Sequence, residues 1–208
     1  MKATQDSHFW NKIAQKYAQK PVPDEAVYER KLELTQQLFT PEMRVLEVGC
    51  GTGTTALNHA PRVQHVTATD FSEQMITIAA QKAAAAGIEN VTFKQEVAEQ
   101  LANYDTQFDM IMAHSLLHLV ADKSFIIRQA YDRLTPGGYF VTSTACLTGV
   151  MGMLRFVWPL IYRLGVVPKV HFFSAGELIQ NHKDVGFSIE HQWQSSKTNL
   201  FLIARKPG

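Results

Sequence analysis

The chain has 208 residues, of which 46% are hydrophobic and 19% charged, with a formal net charge of +1. This composition supplies one full apolar core and excludes a disordered, collagen-like or disulfide-stapled chain. No run of Lys or Arg marks a polyanion-binding face, and the two cysteines, Cys50 and Cys146, lie far apart, as in a protein of a reducing compartment.

The polar start through His8 lacks the apolar centre of a signal peptide, so a cytoplasmic location is expected. Phe9, Trp10, Ile13 and Tyr17 recur at helical spacing and predict a helix over about 7–19, stopped by Pro21 and Pro23. A second helix is expected over about 25–39, and the two form a helical cap over residues 1–40. Strand and helix signals then alternate, with strands expected near 44–48, 65–69, 91–95, 108–112, 138–144, 187–194 and 198–204. Ser72 caps a helix running to Ala86 and ended by Gly87. Asp122 caps another running to Leu134 before Pro136, and Ser174 with Glu177 opens a third that Gly186 ends. Ser195-Ser196-Lys197 joins the last two strands as a hairpin. The whole predicts a single α/β domain over 1–208: a doubly wound, Rossmann-like, mostly parallel seven-stranded sheet with an antiparallel terminal hairpin and helices on both faces. No transmembrane helix is expected, because Pro136-Gly137-Gly138 breaks one apolar stretch and Arg155, Pro159 and Arg163 interrupt the next.

The run from Val45 to Gly53 joins a short apolar strand to Gly49, Gly51 and Gly53, and then to a helix-forming segment. Glycines let backbone approach a ligand closely, and the N–H groups that open the helix favour a polar group there. The spacing G-x-G-x-G departs from the dinucleotide fingerprint G-x-G-x-x-G. Asp70 closes the second strand, where a carboxylate can accept both hydroxyls of a ribose. Phe71 and Met75 behind it offer an apolar wall for adenine, with core packing as the competing role. Glu47, at the end of the first strand, either orients the glycine loop or meets an ammonium group of the ligand.

Glu47-x-Gly49-x-Gly51-x-Gly53 and the strand-end acid Asp70 resemble the first motif and acidic loop of the class I S-adenosylmethionine-dependent methyltransferases. The likeness is to the small-molecule group that includes ubiquinone and menaquinone C-methyltransferases, known as type 11. Phe108–Met112 is similar to that family's fourth strand, Ala113–His118 to its following loop, and Tyr131–Gly138 to its helix and Pro-Gly-Gly turn. The resemblance implies S-adenosylmethionine as methyl donor and S-adenosylhomocysteine as product. It also implies cofactor contacts from Glu47, Gly49, Cys50, Gly51, Gly53, Asp70, Phe71, Met75, Val97, Ala98 and Ala113, and an N-terminal helix that brings Tyr17 toward the reacting methyl. The family usually carries Asp or Asn after the third strand. Val97 stands there in this chain, leaving adenine to the main chain of Val97 and Ala98 or to Glu96 after a one-residue shift.

His114 and His118 would share one face of a helix, yet no third ligand has suitable spacing, so no metal is expected. Structural roles compete with a role as base for Tyr17, His114, His118 and His171. The insertion over 146–173 concentrates apolar and aromatic residues together with Arg155 and Arg163. It is expected to cover the acceptor, with core packing, dimerisation and membrane-surface contact as alternatives. The expected function is methyl transfer to a small apolar or aromatic molecule, without nucleic acid as partner and with a homodimer left open. A nicotinamide-dependent oxidoreductase and a nonenzymatic S-adenosylmethionine-binding regulator are the rival readings.

Overall fold

In chain order the elements of the computed structural model are α1 (Gln5–Gln19), α2 (Glu25–Gln36), β1 (Arg44–Val48), α3 (Thr54–His59), β2 (His65–Asp70), α4 (Glu73–Ala86) and β3 (Val91–Gln95). They continue with β4 (Phe108–His114), α5 (Lys123–Arg133), β5 (Leu134–Ala145), α6 (Trp158–Arg163), α7 (Ala175–Val185), β6 (Ser188–Gln194) and β7 (Asn199–Arg205). The structure describes residues 5–148 and 151–208. All the strands lie in one sheet of order β3-β2-β1-β4-β5-β7-β6, parallel from β3 to β5 and antiparallel where β7 joins β5 and β6. The expected α/β architecture with its terminal hairpin is therefore present.

Central parallel strands are covered on both sides and read as near-continuous apolar runs. Leu46, Val48, Ile111, Ala113 and Phe140 face one way and pack against Ile126, Ile127 and Ala130 of α5 and Leu178 of α7. Val45, Met110, Met112 and Val141 face the other way, toward Ala56 of α3 and Leu34 of α2. A third cluster locks α1 onto α4 through Ala14, Met75 and Ile78, with Trp10 against it. The predicted caps form: the side chains of Ser72, Asp122 and Ser174 accept from the N–H groups of Met75, Phe125 and Glu177 at 3.2, 2.9 and 3.0 Å.

Several boundaries differ from expectation: α2 stops at Gln36 rather than near 39, and β4 runs on to His114 rather than ending near 112. The fifth strand begins at Leu134 rather than near 138, because Leu134 already has extended backbone, and Lys206 Nζ donates to the carbonyls of Tyr131 and Leu134 at 2.8 and 2.7 Å. The strand order reverses between β1 and β4, and in doubly wound sheets the carboxyl ends beside such a switch frame the ligand crevice.

Candidate active site

The glycine loop leaves the carboxyl end of β1 in a left-handed conformation at Gly49, Gly51 and Gly53, with φ of 73°, 54° and 74°. The N–H groups of Gly49 and Cys50 both donate to the Thr69 carbonyl at 2.8 Å, tying the loop to the end of β2. The Asp70 carboxylate completes this tie by accepting from Gly51 N at 2.9 Å through one oxygen and from Ser72 N at 2.9 Å through the other. Each oxygen keeps a further lone pair for a ligand. Burial raises the Asp70 pKa, and the two N–H donors oppose that rise.

Asp70 lines a cavity of about 320 Å³ together with Gly49, Phe71, Glu96, Val97 and Ala98. Leu116, Val120 and Ala121 of the loop after β4 supply one apolar wall, while Asp6, Trp10, Lys169 and His171 close it from distant parts of the chain. Behind the loop, Glu47 is only 2% exposed. Its carboxylate accepts from the Ala56 N–H, but Oε2 is buried with no hydrogen-bond partner. Burial pushes its pKa up to about 8, and the nearby Asp70 charge adds to the rise. Tyr17, half-exposed, lies over Gly51 and stands edge-to-face with Trp10 at 6.1 Å. Burial and the Asp70 and Glu47 carboxylates raise its phenol pKa, so at neutral pH it is a hydroxyl and not a phenolate.

The glycines divide by role. A Cβ on Gly51 would enter open space, with Tyr17 Cε1 nearest at 3.9 Å, as expected of a ligand cradle. A Cβ on Gly53 would instead meet Ala79 Cβ at 2.8 Å and Phe93 at 2.9 Å, and one on Gly49 would meet Leu116 at 2.9 Å. Core packing therefore requires glycine at position 53. The side chains of three other expected contacts do not line the cavity. Met75 is buried between α4 and α1, the Cys50 side chain points into the core beside Val45 and Ala56, and Ala113 is fully buried on the opposite core face. Val97 and Ala98 do line the cavity, but the Val97 N–H already donates to Gln100 Oε1 at 2.9 Å. The carboxylate of Glu96, which accepts from Tyr104 Oη at 2.7 Å, lines the cavity at that edge together with Glu99.

His114 ends β4 and His118 sits in the turns that follow, with Ser115 between them at φ 53°, so the two share no helical face. Burial lowers both pKa values to about 4, and the Lys31 charge adds to the effect at His114. Both imidazoles are thus neutral at pH 7. His171, whose N–H donates to the His118 carbonyl at 2.8 Å, is also held down, mainly by burial. Sequence reasoning missed a polar cluster at the same sheet edge: Lys31 Nζ donates to Ser143 Oγ at 2.8 Å, and Ser143 Oγ donates to Asn199 Oδ1 at 3.1 Å. Nothing local in the sequence links α2 to β5 and β7. It missed Asp6 and Lys169 too, which the fold joins when Lys169 N donates to Asp6 Oδ1 at 3.1 Å.

A profile described as methyltransferase domain matches residues 39–198, which include the glycine loop, Asp70 and the whole parallel sheet. The chain belongs to the methyltransferase domain family. The chain is 34% identical to the uncharacterized methyltransferase YcgJ of Bacillus subtilis (strain 168) over 122 residues, covering 57% of the chain and 48% of the relative. It is 37% identical to the tRNA 5-carboxymethoxyuridine methyltransferase of Escherichia coli (strain K12) over 99 residues, 47% of the chain and 38% of that protein. The chain thus spans less than half the length of these curated relatives. Among solved structures, the DhpI–SAH complex superposes with a TM-score of 0.74 at 20% identity, covering 98% of this chain and 96% of that one.

Proposed function

We propose that the protein transfers the methyl group of S-adenosylmethionine to a small acceptor with an apolar or aromatic body. The observation that carries the reading is Asp70: a buried carboxylate, fixed by Gly51 and Ser72, that lines the 320 Å³ cavity with one lone pair per oxygen still available. A vicinal diol is the ligand group that matches two such acceptors side by side. Glu47, buried with one unpartnered oxygen, calls for a positive charge, and the methionyl ammonium fits that need. When bound, the donor supplies an electrophilic methyl on a sulfonium sulfur.

The chain's own residues then supply position and exclusion of water more than acid–base chemistry. Asp70 holds the ribose, Glu96 accepts from the adenine amine, and Phe71 with Leu116 forms an apolar wall. Tyr17 closes over the glycine loop as a neutral hydroxyl. His114 and His118, with pKa values near 4, are weak bases at neutral pH, so an acceptor that ionises readily or loses its proton late is favoured. The absence of a basic run and the formal charge of +1 support a small acceptor over an RNA.

The test is transfer of tritiated methyl from S-adenosylmethionine into a lipid-soluble metabolite extract, a water-soluble extract and total tRNA. Label in an organic-soluble small molecule, lost in Asp70→Ala, supports the proposal. Label in tRNA alone overturns the acceptor class, and cofactor binding without any transfer overturns the enzyme reading in favour of a regulator.

A further inference from the structure

The insertion between β5 and α7 turns many of its apolar residues outward. Met153, Phe156, Val157, Leu160, Leu164 and Val166 are between 50% and 74% exposed. The inward side is taken by other groups: Trp158 stands edge-to-face with Phe172 at 6.5 Å and donates from Nε1 to the Pro168 carbonyl at 3.0 Å, while Phe173 is buried. Residues 149–150 of the segment lie outside the described residues. The outward set is therefore displayed on an anchored scaffold, tied to α1 through Lys169 N and Asp6 and to the loop after β4 through His171 N and the His118 carbonyl. An exposed apolar patch of this kind marks an interaction surface.

Charge decides what that surface fits. Arg155, Arg163 and Lys169 are exposed around the patch, and from Arg133 through Gly176 the chain contains no Asp or Glu. Among the described residues, neither Arg155 nor Arg163 has a carboxylate partner. A second copy docked face to face would set these cations against their own counterparts, with no acid in the segment to answer them. An anionic lipid surface answers both features at once, taking apolar side chains into the headgroup boundary and cations against the headgroups. Beneath the patch lies a cavity of about 250 Å³ lined by Leu147, Met153, Arg155, Phe156, Phe172 and Phe173, and the same segment continues to Lys169 and His171 in the wall of the larger cavity.

We infer that residues 151–170 form a docking surface for an anionic membrane, seating the protein peripherally with the smaller cavity facing the lipid. The surface stands independently of the acceptor assigned above, since it is read by binding alone. The experiment is co-sedimentation of the full chain with vesicles of phosphatidylcholine and with vesicles containing 30% phosphatidylglycerol, at low and physiological salt. The expected result is sedimentation with the anionic vesicles, weakened by salt and nearly lost in Phe156→Ser/Leu160→Ser. Arg155→Gln and Arg163→Gln should each weaken it by about fivefold. Exposed substitutions of this kind should leave the melting temperature and S-adenosylhomocysteine affinity unchanged, which separates loss of docking from loss of fold. Absence of vesicle binding, equal binding by the variants, or a concentration-dependent dimer that Phe156→Ser dissolves would each overturn the inference.

Discussion

Glu47 predicts that cofactor binding is coupled to a proton. Burial pushes its carboxyl pKa up to about 8 in the free protein, so at pH 7 the protonated form predominates. A ligand ammonium seated within about 4 Å of the carboxylate would contribute roughly 4 kcal/mol at an effective dielectric near 20, equivalent to about three pKa units. Binding should therefore draw the Glu47 pKa down toward ~5 and release close to one proton at pH 7. Because the ligand favours the ionised form, affinity for S-adenosylhomocysteine should rise about tenfold per pH unit between ~5 and 8 and level off above 8. Calorimetry in buffers of differing ionisation enthalpy counts the proton directly. Glu47→Gln matches the protonated carboxyl in shape, so the variant should bind like the wild type at pH 5, fall behind it at pH 8.5, and release no proton. The same shift has a stability consequence of opposite sense. A carboxyl whose folded pKa lies above its unfolded value contributes stability below about pH 4.5 and loses it as pH rises toward 8, so without ligand Glu47→Gln should melt higher than the wild type at pH 8 and no higher at pH 4. A flat affinity from pH 6 to 9 with no buffer-dependent heat would refute this account of Glu47.

Asp70→Ala should weaken S-adenosylhomocysteine by roughly ten- to a hundredfold, the range for a lost charge-assisted acceptor, and also lower stability because Gly51 and Ser72 lose their partner; unchanged calorimetric affinity in the folded variant would remove the ribose assignment. Gly51→Val should fold with a modest cost from its φ of 54° yet lose measurable cofactor binding, since its side chain projects into open cradle space, and wild-type affinity would show that the loop is not the cradle. Gly53→Ala should behave in the opposite order, losing several kcal/mol of stability because its Cβ meets Ala79 and Phe93, which thermal denaturation would show as a large fall in melting temperature.

Much of this protein is legible along the chain because its signals are local. Ser72, Asp122 and Ser174 cap helices through N–H groups three residues ahead, and Gly87 and Gly186 end them by adopting positive φ, so neighbouring residues suffice to place those elements. The alternation of apolar strands with amphipathic helices likewise leaves a parallel sheet as the economical burial scheme. The glycine loop and Asp70 were readable for the same reason, since a left-handed turn and a strand-end acid are properties of short segments. What the chain alone left undecided depends on contacts between distant segments. Whether a glycine guards ligand space or core packing rests on Tyr17 for Gly51 and on Ala79 and Phe93 for Gly53. Met75 was drawn from the cofactor to the α1–α4 interface because Ala14 and Trp10 arrive there. Nor does apolar composition say which way residues 151–170 face: Phe173 is buried, Trp158 and Phe172 are half-buried against each other, and Phe156, Leu160 and Leu164 are left facing outward. Backbone preferences act over a few residues and can be read from them, whereas a cavity wall or an exposed face is a sum over packing partners that only the folded chain brings together.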